Sequence, residues 1–149
     1  MPQSLVKILA HIVFSTKDRV NLITPEIEPQ LFGYMSGIFK NNGARLIIGG
    51  AAWDHVHLLV SIGRIDISKL IGAVKRDSSV WIKEQDKQFG KFYWQRGYGL
   101  FSIGQSQVPA VSRYIQNQRE HHKEQTFQDE FRTLCRRYDV EFDERYCWD

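Results

Sequence analysis

The order in which two hydrophobic periodicities alternate along the chain restricts its fold more than any other feature. Strand-length segments dense in apolar residues are interleaved with segments whose apolar residues recur every three or four positions. Val6 to Ser15 (VKILAHIVFS) comes first and predicts a strand buried on both faces. The charged run Thr16 to Asn21 ends it. Thr24-Pro25-Glu26 predicts a helix start, with Thr24 as N-cap and Pro25 in the first helical position. Ile27, Leu31, Tyr34, Met35 and Ile38 follow at helical spacing, and Asn41-Asn42-Gly43 closes the helix. Arg45 to Ala52 (RLIIGGAA) and Val56 to Ile62 (VHLLVSI) read as two strands joined by a turn at Trp53-Asp54. Ile67 to Lys87 predicts a second long helix, with Ile67, Leu70, Ile71, Val74, Trp81 and Ile82 on one face. Phe92 to Trp94 and Tyr98 to Ile103 supply a further extended stretch. A third helix is expected over about Gln107 to Lys123, with Pro109 in its first turn, and a last one over about Phe127 to Tyr138.

This order, β-α-β-β-α-β followed by extra helices, predicts an α+β chain with a ferredoxin-like antiparallel sheet. Two helices cover one sheet face. The other face is left for a ligand or for the additional helices. With 149 residues and 42% hydrophobic content, the expectation is a single domain over residues 1–149. No repeat, low-complexity tract or linker divides it.

Charge narrows the partners. The net charge of +3 hides an asymmetry: residues 139–149 hold five acids and one Arg, so residues 1–138 alone sum to +7. A basic body with a short acidic tail fits a nucleic-acid partner, although solvated surfaces often show such a balance too. No apolar run approaches the ~20 residues of a membrane span, and the N-terminus is too polar for a secretory signal. The expectation is therefore a cytoplasmic protein without a membrane partner. Cys135 and Cys147 form no CxxC pair and no Cys/His zinc pattern, and read as incidental thiols.

Two small groups of residues carry chemistry. In His55-Val56-His57, residues i and i+2 of a strand share a face, so two imidazoles lie side by side while Val56 turns into the core. Neutral imidazoles bind divalent metals, but this triplet alone is equally compatible with ordinary surface or core histidines. Tyr114 and Gln118 lie four apart on the predicted third helix and share a face. A helical wheel adds His121 beside them and puts His122 nearer the apolar stripe of Val108, Val111 and Ile115. Taken alone, Tyr114 also reads as a core-edge residue and Gln118 as a solvated one. Taken together, the groups describe a site in which a metal held by two imidazoles and the Gln118 carboxamide stabilises a phosphoryl group while Tyr114 attacks it. The ordinary phenol pKa of ~10 means that Tyr114 needs activation, and His121 is a candidate auxiliary base. Gly49-Gly50 lacks the Gly-Lys-Ser/Thr of a phosphate loop, so no nucleotide cofactor is expected.

With these residues in place, the chain resembles the single-tyrosine transposases of the HUH superfamily (the IS two-hundred-like group), which serve the smallest bacterial and archaeal insertion sequences. His55-Val56-His57 matches the His-hydrophobic-His triplet. HIVFSTKDR (His11 to Arg19), WDHVHLLVSI (Trp53 to Ile62), WQRGYGLFSIGQSQVPAV (Trp94 to Val111) and YIQNQREHHKEQTFQDEF (Tyr114 to Phe131) resemble its first strand, metal strand, last strand and tyrosine helix. YDVEFDERYCWD resembles its usual close. The resemblance implies an RRM-like sheet with a C-terminal catalytic helix. It implies a Mg2+ or Mn2+ ion on His55, His57 and Gln118, and a 5′-phosphotyrosine formed on Tyr114 with release of a 3′-hydroxyl. It also implies a homodimer in which the tyrosine helix of one subunit can complete the other's site, and single-stranded DNA with hairpins at the element ends as substrate. Lys17, Arg19, Lys75, Arg76 and Arg96 are candidate DNA contacts. Three other readings remain: a domesticated hairpin-binding regulator that does not cut, another HUH nuclease, or a metal hydrolase in which Tyr114 is structural.

Overall fold

Four strands and two long helices occur in the predicted order. The structure, a computed structural model, describes residues 2–149. Strand β1 (Ile8–Ser15) leads to α1 (Glu28–Asn41). Strands β2 (Arg45–Ala51) and β3 (His55–Ile62) form a hairpin, then come α2 (Ile67–Lys83) and β4 (Gly99–Ile103). The sheet order is β2-β3-β1-β4 and every neighbouring pair is antiparallel. Helices α3 (Val108–Gln116), α4 (Gln118–His121) and α5 (Phe127–Arg137) follow.

Alternation along the strands assigns the two faces. Ala10, Ile12 and Phe14 of β1 and Val56, Leu58, Val60 and Ile62 of β3 pack against α1 and α2 in the larger core. Leu9 and Val13 of β1, Leu59 of β3 and Phe101 and Ile103 of β4 face the opposite way, towards Ile115 of α3 and Phe127, Phe131 and Leu134 of α5. The face that sequence left open for a ligand or extra helices is therefore roofed by α3 and α5. Both sides of β3 are dry: Val56, Leu58, Leu59 and Val60 are fully buried, each contributing roughly 1.5–3 kcal/mol relative to exposure.

Several boundaries differ from expectation, each for a local reason. Helix α1 begins at Glu28, with Pro29 in its first turn. The Thr24 hydroxyl does accept a hydrogen bond, from the Ile27 amide at 3.2 Å, but it closes a turn ahead of the helix. Gly43, at φ +77°, ends α1 as predicted. Asp66 caps α2 by accepting from the Lys69 amide at 3.0 Å, and the helix ends at Lys83 rather than Lys87. Phe92 to Trp94 contributes one bridge, Thr16 to Trp94, instead of a strand. The long third helix is broken at Asn117 (φ −99°, ψ 21°) into α3 and α4.

Helix α3 lies directly on β2. A side-chain carbon at Gly50 would collide with the Ile115 carbonyl, so the glycine permits the close approach. Residues 139–149, which sequence reads as an acidic tail, fold back: Phe142, Cys147 and Trp148 pack against the α5 cluster, and the Gly97 amide donates to the Asp149 carbonyl at 2.8 Å. No helix among the described residues is long and apolar enough to cross a membrane.

Candidate functional site

The strand register builds the first half of the site. His55 and His57 are the first and third residues of β3 and point away from the larger core, while Val56 between them is fully buried in it. Asp54, in the hairpin turn, lies 2.7 Å from His55 Nδ1. In the adjacent strand His11 shares their face, and its Nε2 lies 2.7 Å from His57 Nδ1. His55 and His57 are thus each held at Nδ1 and present Nε2 to the space beneath the helices. Such outer partners fix ring orientation and tautomer in metal sites. All three rings are buried.

The helices bring the second half. Tyr114 comes from α3 and is half-buried. The break at Asn117 turns Gln118 inward, where it is 1% exposed with its Oε1 3.2 Å from His55 Nε2. His121 stays exposed and lies against the Tyr114 ring, centroids 4.9 Å apart. The Tyr114 hydroxyl does not go to His121; it donates to Oε2 of Glu130 on α5. Oxygen Oε1 of the same carboxylate sits 2.7 Å from His57 Nε2, 2.9 Å from His122 Nε2 and 3.3 Å from His55 Nε2. One chain therefore gathers His55, His57, Tyr114 and Gln118, and sequence reasoning missed three further members: His11, His122 and Glu130. His122 enters the site four residues beyond Gln118, after the break at Asn117. Glu130 was legible only as an acid on the apolar side of an amphipathic segment, next to Phe131 and three residues after Phe127.

The electrostatics centre on Glu130. Burial alone would raise its carboxyl, but His57, His122 and His55 outweigh that and hold it far below the usual carboxylate range. Burial opposes a charge on His55, yet the hydrogen bonds and charges of Asp54 and Glu130 prevail and push it up to about 9. Burial lowers His57 to about 4 against the pull of Glu130, and lowers His11 to about 3. Burial raises the Tyr114 phenol above its ordinary value, and the charge and hydrogen bond of Glu130 raise it further.

This arrangement can hold a cation. His55, His57, His122 and Glu130 each offer one ligand atom, and those atoms all lie within 4.8 Å of one another. A carboxylate enclosed by imidazoles, with a carboxamide oxygen at its edge, is the donor set of a divalent ion.

The candidate DNA contacts divide. Lys17 and Arg96 are exposed, and Arg76 is exposed beside Asp77 at 3.2 Å. Arg19 donates to the Trp148 carbonyl at 2.8 Å. Lys75 is a structural residue: its ammonium donates to the carbonyls of Gln95, Arg96 and Gly97 at 2.9, 3.0 and 2.6 Å. Burial lowers it to about 8.

Comparison with known proteins agrees with this geometry. The family model described as "Transposase IS200 like" matches residues 4–118, a stretch that includes His55, His57, Tyr114 and Gln118 but stops short of His122 and Glu130. The chain is 25% identical over 116 residues to the ISDra2 transposase TnpA of Deinococcus radiodurans, covering 74% of this chain and 83% of that protein. It shares its fold with a crystal structure of a candidate transposase from Deinococcus radiodurans R1. There the TM-score is 0.61 at 22% identity, over 80% of this chain and 96% of the other. A REP-associated tyrosine transposase bound to a REP hairpin has the same fold, with a TM-score of 0.56 at 12% identity over 77% and 68%.

Proposed function

The chain belongs to the family of IS200-like transposases, and on that premise we propose that it cleaves and rejoins single-stranded DNA through a covalent 5′-phosphotyrosine at Tyr114, dependent on Mn2+ or Mg2+. The observation that carries this reading is the convergence on one carboxylate: the Tyr114 hydroxyl on one oxygen of Glu130, and three imidazole nitrogens around the other.

His55, His57, His122 and Glu130 would hold the ion, with Gln118 at its edge. When bound, the ion supplies positive charge that offsets the negative charge developing on the phosphoryl group. Asp54 and His11 keep the two strand imidazoles in one orientation. Glu130 holds the phenol at Oε2 and so aims Tyr114 at the same point. Attack forms the bond from the Tyr114 oxygen to phosphorus and breaks the bond from phosphorus to the 3′-oxygen; the phenol gives up its proton and the departing 3′-oxygen takes one up, leaving as a 3′-hydroxyl with no net proton change. The ester retains the bond energy, so a later 3′-hydroxyl reverses the step without a nucleotide cofactor. Burial and Glu130 keep the phenol protonated in the resting site, so attack requires that proton to be given up as the bond to phosphorus forms. The protein acts as a homodimer in which the tyrosine helix of one subunit can complete the other's site, as the resemblance implies. By family membership, the substrate is a hairpin-bearing strand from the ends of an insertion sequence.

A denaturing gel tests this reading. Purified protein is incubated with labelled single strands from the DNA flanking its own gene, with Mn2+, Mg2+ or EDTA. A protein-linked DNA band that needs metal and is absent in Tyr114→Phe and His57→Ala is the expected result. Cleaved strands with no protein-linked band would point to a hydrolase, and binding without cleavage to a hairpin-binding regulator.

A further inference from the structure

A cleft of about 460 Å3 opens beside the site, bounded by the hairpin turn on one side and the Lys123–Gln128 segment on the other. Trp53, Asp54 and His122 are among its lining residues, and His122 and Asp54 contact Glu130 and His55 of the histidine cluster. We propose that this cleft receives a nucleobase adjacent to the scissile phosphate, with Trp53 as its stacking platform; the inference rests on the single-stranded DNA reading above.

Trp53 is unusual for an indole in being 48% exposed, so burial in the folded chain explains little of its presence. Its support is rigid all the same. The Trp53 carbonyl accepts from the amides of Leu22 and Ile23 at 3.0 and 2.9 Å. The Arg119 guanidinium lies over the ring, 5.2 Å from its centroid, within cation–π range. Arg119 is itself anchored, to Glu28 at 2.9–3.0 Å and to the Ile23 carbonyl at 3.1 Å. A planar aromatic fixed by backbone and by a clamped cation is what base stacking requires, because every base has a π-face and pre-ordering lowers the cost of binding. The cleft also carries three amides, Asn21, Gln125 and Gln128. Carboxamides present both donors and acceptors, which suits them to the edge of an unpaired base. Distance along the chain supports the assignment: Trp53 precedes Asp54, the residue that orients His55.

The test uses a strand whose cleaved bond has been located by the covalent-adduct gel. Affinity is measured by fluorescence anisotropy for the intact strand and for strands made abasic at the nucleotide on either side of that bond. For the intact strand, Trp53→Ala is expected to weaken binding about tenfold or more, and Trp53→Phe less than threefold, since an aromatic ring remains. One abasic substitution should weaken wild-type binding similarly and abolish the difference between wild type and Trp53→Ala. Wild-type affinity insensitive to both abasic substitutions, with the Tyr114 adduct still forming, would overturn the cleft assignment and leave the transposase reading standing. A wild-type protein that binds no such strand would overturn both.

Discussion

Glu130 contacts Tyr114 and three of the site's histidines, and its removal should be felt twice. In Glu130→Ala the buried imidazoles and the Tyr114 hydroxyl lose their shared acceptor. Stripping one partner from a buried charged network costs about 3 kcal/mol, so chemical denaturation of the metal-free protein should show a loss of that order. Calorimetric titration with Mn2+ should show affinity falling at least tenfold in Glu130→Gln, which keeps the shape but not the charge; unchanged affinity would remove Glu130 from the ligand set. The histidines predict opposite pH dependences. His55 titrates at about 9 in the folded chain, above its ordinary 6.5. Its contribution is therefore fully present below pH 6.5 and is lost as pH rises towards 9. A bound cation must displace that proton, so metal affinity should rise over the same window. His57 and His11 are depressed, to about 4 and 3; they favour folding while neutral and withdraw that support as pH falls below 6.5. Melting temperatures of the metal-free protein should decline on both flanks, and Mn2+ should flatten the alkaline one.

At the scale of elements, the site depends on how closely α3 approaches the sheet. Gly50 permits that approach, so Gly50→Val should push α3 outward, destabilise the fold by about 1–3 kcal/mol through overpacking, and misalign Tyr114 with the strand histidines. Adduct formation falling far more than stability is the expected pattern; wild-type rates would contradict it. Much of this architecture was legible. The hairpin Arg45–Ile62 and both long helices follow from periodicity, and the strand's two-residue repeat puts His55 and His57 on one face and Val56 on the other. What periodicity does not carry is the interruption at Asn117, because one non-helical residue leaves the surrounding pattern almost intact. His11 and Glu130 were hidden for a related reason. Their role depends on contacts across 46 and 73 residues with His57, which no local signal encodes. Lys75 errs in the other direction: its charge reads as a solvent-facing contact, whereas three carbonyls capture it.

For the whole molecule, two of the five candidate phosphate contacts donate to backbone carbonyls of the fold itself. Lys75 is consumed internally and Arg19 by the returning C-terminal residues, which leaves Lys17, Arg76 and Arg96 among the candidate phosphate contacts. On single strands each contact contributes roughly −0.7 to the salt slope of log affinity. A slope of about −2 is expected, against about −3.5 if all five engaged. Arg96→Ala should make it shallower by roughly 0.7 with little change in stability, while Lys75→Ala should chiefly destabilise. How DNA is held is a separate matter from which atom it joins. Trypsin cuts after Arg113 and Arg119, releasing Tyr114 as the only tyrosine of the peptide YIQNQR. The direct measurement is tandem mass spectrometry of that peptide after Mn2+-dependent reaction with a flanking single strand and nuclease trimming. A mass increase of a 5′-phosphorylated nucleotide remnant localised on Tyr114 is the expected result. An adduct on any other residue, or cleaved DNA with an unmodified peptide, would contradict it.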